Sequence, residues 1–252
     1  NWGSKGVENF IFIIGCQRGN GGLDRPRIVR CVLDRPAPLA NMQVTTGFDI
    51  WSDVGGARVT KDWVRDAEIA YCVAHDITTG SGLGQPLAFH MITPGAWNGG
   101  SIHDNIAWNL YGGGVDPYKD NTFIYQDSFG GNNVALFRNF GINICQGIYI
   151  GVNDASLTFD HWRISRNQLA INNTGNRLGI TQSSGARFSR CEITHNYISA
   201  PGGHPMFLSS GTRYRISRNT LEGEIVTGSA SIANWRNNRH PNGLILSSPA
   251  ED

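Results

Sequence analysis

The sequence predicts an all-β solenoid of about eight coils, and three observations carry that prediction. One is a recurring line: Ile164-Ser165-Arg166-Asn167, Phe188-Ser189-Arg190-Cys191 and Ile216-Ser217-Arg218-Asn219 each read apolar, Ser, Arg, then Asn or Cys, in steps of 24 and 28 residues. Weaker copies reach the other end of the chain, closing on Cys16, Cys31, Cys72, Asn105 and Asn139, so four of the five cysteines share one slot with four asparagines. Between copies lie apolar runs of three to five residues broken by Gly, Asn and Ser, and none keeps a 3.6-residue apolar period over three turns. Such strands, without crossover helices, cannot form a doubly wound sheet. They can stack, each coil adding one rung to several parallel sheets.

The slot has a physical role in such a stack. Asn tolerates the left-handed backbone of a sharp bend, and its amide can bond along a column of identical neighbours. Cys packs in the same place as a small buried hydrophobe. Asn167, Cys191 and Asn219 are therefore expected to neighbour one another, and a slot Asn replaced by Leu is expected to cost about 1–3 kcal/mol. The coils around Cys16 and Cys31 are short. The steps to Cys72, Asn105 and Asn139 are long and carry Phe48 to Asp53, Phe89-His90-Met91, Trp97 and Tyr111 to Asp127. After Asn139 the coils shorten again. Trp235 to Asp252 shows no copy of the line and reads as a tail or capping segment.

The repeated apolar-Ser-Arg-Asn lines, followed by Gly147-Ile148-Tyr149-Ile150 and Gly179-Ile180-Thr181, resemble the repeats of right-handed parallel β-helices. That pectate-lyase-like superfamily includes polysaccharide lyases, glycoside hydrolases and phage tailspikes. The resemblance implies a single-stranded right-handed parallel β-helix and an extracellular, cell-surface or virion setting. It carries over no catalytic residue, because the adjacent aspartates of polygalacturonases and the Arg-x-Pro-x-x-Arg string of pectate lyases are absent.

Composition narrows the classes further. A chain of 252 residues suits one domain over 1–252, and a net charge of +1 offers no basic face of the kind nucleic acid needs. No apolar run approaches the roughly 18 residues of a membrane span. The chain opens at Asn1 without Met and reaches a coil by Phe10, so a processed piece is expected, with a neighbouring domain or a homotrimer at its N-terminal end. Cys16 and Cys31, read as lying on adjacent coils, could come within disulfide reach, but the shared slot favours buried free thiols. Arg30, Arg138, Arg166, Arg190 and Arg218 form either a solvated outer stripe or an anion-binding one.

Solenoids place insertions on one face, often the binding face. The long coils hold aromatic and acidic residues with few lysines, which suits sugars: aromatic faces stack on rings and carboxylates accept hydroxyl hydrogen bonds. Trp51, Trp97, Tyr125 and Tyr149 are the candidate substrate-binding residues. Asp49, Asp127 and Asp154, then Asp116 and Asp120, are candidate acids or bases, with His90 beside them. Equivalent positions on adjacent coils lie about 4.8 Å apart, so the stack offers the carboxylate spacings of both retaining and inverting glycosidases. No cofactor is expected; Ca²⁺ at Asp116 and Asp120 is the one metal option, without a recognised calcium-loop pattern. The expected function is recognition and cleavage of an extracellular polysaccharide. The alternatives are a glycan-binding spike or adhesin that does not cleave, or a structural module.

Overall fold

A computed structural model of the chain describes residues 8–16, 22–34, 44–52, 64–78, 85–93, 97–111, 122–128, 131–152, 158–171, 177–182 and 187–249. Three parallel sheets run through these residues. Glu8–Cys16, Val44–Ser52, Gln85–Thr93, Thr122–Ser128, Gln146–Val152, Leu178–Gln182, His204–Leu208 and Ile225–Thr227 form the first sheet in that order. The second runs from Leu23–Asp24 through Val64–Ala70, Trp97–His103, Gly131–Phe137, Trp162–Ser165, Cys191–Thr194 and Tyr214–Ser217 to Ile232–Arg236. The third takes Val32–Asp34, Val73–Thr78, Ile106–Tyr111, Phe140–Ile144, Gln168–Ile171, Tyr197–Ser199 and Thr220–Glu222. A chain that visits first, second and third sheet in turn, always pairing with the strand one coil back, is a parallel β-helix.

Period-two alternation fills the interior. On the second sheet Ile28, Ile69, Ile102, Leu136, Ile164, Ile193 and Ile216 stack directly on one another, all at most 1% exposed. Phe48, Phe89, Ile124, Ile148, Ile180 and Met206 do the same on the first sheet. The Gly-Ile pairs of the sequence sit where two sheets close in. A Cβ on Gly147 would lie 2.6 Å from Leu169 Cδ1, and one on Gly179 2.3 Å from the Pro205 carbonyl oxygen.

The bend between second and third sheets explains the slot and corrects its register. It uses two residues. The first takes a left-handed backbone, and in successive coils is Arg30, Tyr71, Asp104, Arg138, Arg166, His195, Arg218 and Asn237, with φ between 53° and 59°. The second is the slot, held by Cys31, Cys72, Asn105, Asn139, Asn167, Asn196, Asn219 and Asn238. The Asn is thus not the left-handed residue, as the sequence suggested. Its task is the column. Each Asn Nδ2 from Asn105 to Asn219 donates to the Oδ1 of the next Asn, at 2.9–3.1 Å, and to a buried carbonyl of the preceding coil. Each Oδ1 accepts the backbone N–H of the slot one coil earlier, beginning with Cys72.

The described residues form eight coils, but two of the expected copies are not slots. Cys191 begins a second-sheet strand, opposite Trp162 and Tyr214, and Asn196 holds the position expected for it. Asn167 and Asn219 are consequently two coils apart, joined through Asn196. Cys16 ends the first strand of the first sheet, opposite Ser52, so it belongs to the same coil as Cys31, which is a free thiol. The eighth slot, Asn238, falls in the stretch read as a tail. Beyond it, Arg239 bridges Thr220 and Ile245.

Burial pushes the Cys72 thiol up to about 11 and raises that of Cys191 further. Both are expected to resist a thiol reagent at pH 8 in the native protein and to react only after unfolding, as read by mass spectrometry of the labelled chain.

Candidate functional site

The register brings four of the expected site residues into one row. Asp49, His90, Tyr125 and Tyr149 are directly opposite one another on consecutive strands of the first sheet. Two residues along, Trp51 and Asp127 both pair with Ile92. The Tyr125 and Tyr149 rings are stacked, with centroids 4.9 Å apart and planes 12° from parallel. Asp49 is fully buried. Trp97 is elsewhere: it lies in the second sheet, between Val64 and Gly131. Asp116, Asp120 and Asp154 lie outside the described residues, as do the side chains of Trp51, His90, Trp97 and Asp127.

A groove of about 730 Å³ opens on the outer face of the second sheet. Its lining crosses five consecutive coils, from Ala135 through Arg163 and Glu192 to Arg215 and Ala233, a length of about 19 Å at 4.8 Å per rung. Two features of the chain shape it. A corner of left-handed residues, Asn133, His161 and Arg213, turns the strand edge outward. The small side chain of Ala135 then leaves space at the head of the row Ala135, Arg163, Glu192, Arg215. Buried Trp162 and Cys191 form the floor.

Four arginines and a histidine line this groove against one glutamate, on a chain whose net charge is only +1. Arg163 and Arg215 flank Glu192 at 3.7 and 3.5 Å, and their side chains are 75% and 68% exposed. Arg190 grips Asp160 in a bidentate pair at 2.9 and 2.6 Å, and Ser189 Oγ donates to the same carboxylate. This holds the Asp160 carboxyl well below the usual range, with Arg190 the main cause. It stays an anion that positions Arg190 and does not act as a proton donor at neutral pH. The sequence missed the groove although a signal was there: Arg163 and Arg215 each stand one residue before a copy of the line, at Ile164 and Ile216, while Arg190 stood among the slot arginines, so the two columns were not seen to meet.

A second charged network sits three coils back. His103 Nδ1 is 2.7 Å from Asp104 Oδ2 and its Nε2 is 3.1 Å from Glu68 Oε1, with the ring stacked on Phe137. Arg138 completes it with a bidentate pair to Asp104. That pair is the main reason the Asp104 carboxyl is lowered to about 2. A depressed carboxylate stabilises the fold above its unfolded value of about 4 and loses that contribution as pH falls toward its folded value. The melting temperature of wild type is therefore expected to exceed that of Asp104→Asn by a constant margin at pH 5–7. The margin should shrink between about pH 4 and about pH 2, as followed by thermal melts across that range.

Comparison with family models, with characterised proteins and with solved structures yields no match for this chain.

Proposed function

We propose that this chain recognises an extracellular polysaccharide, laid along the solenoid axis in the second-sheet groove. The observation that carries the reading is the groove's shape and charge together: five coils long, open to solvent, and rich in arginine on a nearly neutral chain. An elongated hollow fits a polymer better than a compact metabolite. Exposed guanidinium groups bind carboxylate or sulfate groups in fork geometry, so the favoured polymer is acidic. The resemblance of the coils to the pectate-lyase-like superfamily supports the same substrate class, and with it a cell-surface or virion setting.

Cleavage is a second reading, favoured by one observation. Asp49, His90 and Tyr125 are register partners on consecutive strands of the first sheet. These are residue types of general acid–base chemistry at a spacing of about 4.8 Å.

One experiment separates the readings. The chain is incubated with a panel of acidic and neutral polysaccharides and followed by binding, reducing ends and absorbance near 235 nm. Retention of an acidic polymer with neither signal supports recognition alone. New reducing ends mark a hydrolase, and absorbance at 235 nm marks an eliminating lyase. Retention of none would end the proposal.

A further inference from the structure

Away from both of those faces, the outer side of the third sheet holds a histidine set between carboxylates from two coils. Asp34 ends the third-sheet strand of the first coil, and His75 is directly opposite it in the second. Asp76 follows His75. In a regular strand its side chain would point to the other face. Asp76 is instead left-handed, with φ 51°, and this bend returns its carboxylate to the imidazole. One atom each from Asp34, His75 and Asp76 lie within 4.8 Å of one another.

The two sides of the ring differ. On Nδ1 there is a short contact, 2.9 Å to Asp76 Oδ2. The other oxygen of Asp76 accepts a hydrogen bond from Asn109 Nδ2 at 2.8 Å, and Asn109 Oδ1 accepts one from Asn143 Nδ2 at 2.8 Å. Trp108 stacks on the imidazole at 4.3 Å and 6°. The ring is therefore fixed in plane and in tautomer by a relay three coils deep. On Nε2 the partner is Asp34 Oδ1 at 3.5 Å, too long for a good hydrogen bond. Two ligands of one tetrahedral ion, each about 2.0–2.2 Å from it, stand about 3.4 Å apart. An imidazole that donates one N–H to a carboxylate and turns its other nitrogen toward a ligand atom is the usual arrangement of a metal-binding histidine.

We infer that Asp34 and His75 Nε2 form a seat for a divalent transition-metal ion of the zinc type, with water completing its shell and Asp76 orienting the imidazole. The ion would join the first coil to the second. Its nitrogen ligand favours zinc over Ca²⁺, which takes oxygen ligands.

The test is titration calorimetry of the full chain with zinc chloride and, separately, calcium chloride, on wild type, Asp34→Asn and His75→Gln. Asp34 is 61% exposed, so its variant keeps the fold. The expected result is a zinc site weakened tenfold or more in both variants, with no comparable calcium site. Zinc should also raise the melting temperature of wild type and leave that of Asp34→Asn unchanged, since only a ligand bound to the folded coils adds stability. Zinc affinity equal in all three proteins, or no zinc binding, would overturn the site and leave His75 as a histidine clamped between two carboxylates.

Discussion

Asn167→Leu is expected to destabilise the protein by about 3–5 kcal/mol, a loss larger than most single substitutions produce. Three buried groups each lose a hydrogen bond at once: the Leu136 carbonyl, the Asn139 backbone N–H and the Asn139 side-chain amide, which keeps only its bond to the Ile102 carbonyl. Each orphaned buried group costs about 1–3 kcal/mol, and leucine supplies no replacement. Asn196 also keeps only the backbone donor of residue 167 for its Oδ1. Asn105→Leu makes the informative comparison. The coil before it carries Cys72 in the slot, so only the Cys72 N–H and the Ile69 carbonyl are orphaned. Its cost should be smaller by about one buried hydrogen bond, about 1 kcal/mol. Urea unfolding monitored by circular dichroism gives both values. Equal, small losses for the two variants would mean that the column is not what holds the bends.

The same column shows how far the sequence alone can be read. A period with Asn and Cys sorted into one slot was enough for the solenoid and the buried stack, while the count of eight coils came out right because Cys16, counted as a coil of its own, offset the missed Asn238. It was not enough for register, because two bends per coil draw on the same residues. Phe188-Ser189-Arg190-Cys191 copies the slot line at the second-sheet corner, five residues before the true line Ile193-Thr194-His195-Asn196. The Asn238 slot went unseen for the opposite reason. Trp235-Arg236-Asn237-Asn238 has Asn, not Arg, in the left-handed place, which the backbone accepts equally well. Function was less legible still. Asp49, His90, Tyr125 and Tyr149 do share a row, but as register partners on consecutive strands of the first sheet and not as members of inserted loops. The arginine groove depends instead on strands four residues long. There the outward residues Arg163, Glu192 and Arg215 become neighbours only once the register is known.

Those outward arginines give the second large expected effect. The double variant Arg163→Gln, Arg215→Gln should weaken binding of an acidic polysaccharide tenfold or more, equivalent to about 1.4 kcal/mol. Both side chains are well exposed and, among the described residues, pair with Glu192 at 3.7 and 3.5 Å. Pairs of that kind contribute little to stability, so the fold should be unaffected. The remaining attraction should fall with salt over the range where the Debye length drops below about 10 Å. Arg218→Ala is the control: Arg218 belongs to the column of left-handed residues and borders a separate, smaller hollow with Asn219, Thr220, Asn237 and Arg239. Trp51→Ala and Asp127→Asn test the competing first-sheet row. If Trp51→Ala removes binding while the arginine variant keeps it, the polymer lies on the first sheet. If Asp127→Asn keeps binding and loses turnover, that row also cleaves. Loss in the arginine variant alone, steepened at low salt, is the result the groove requires.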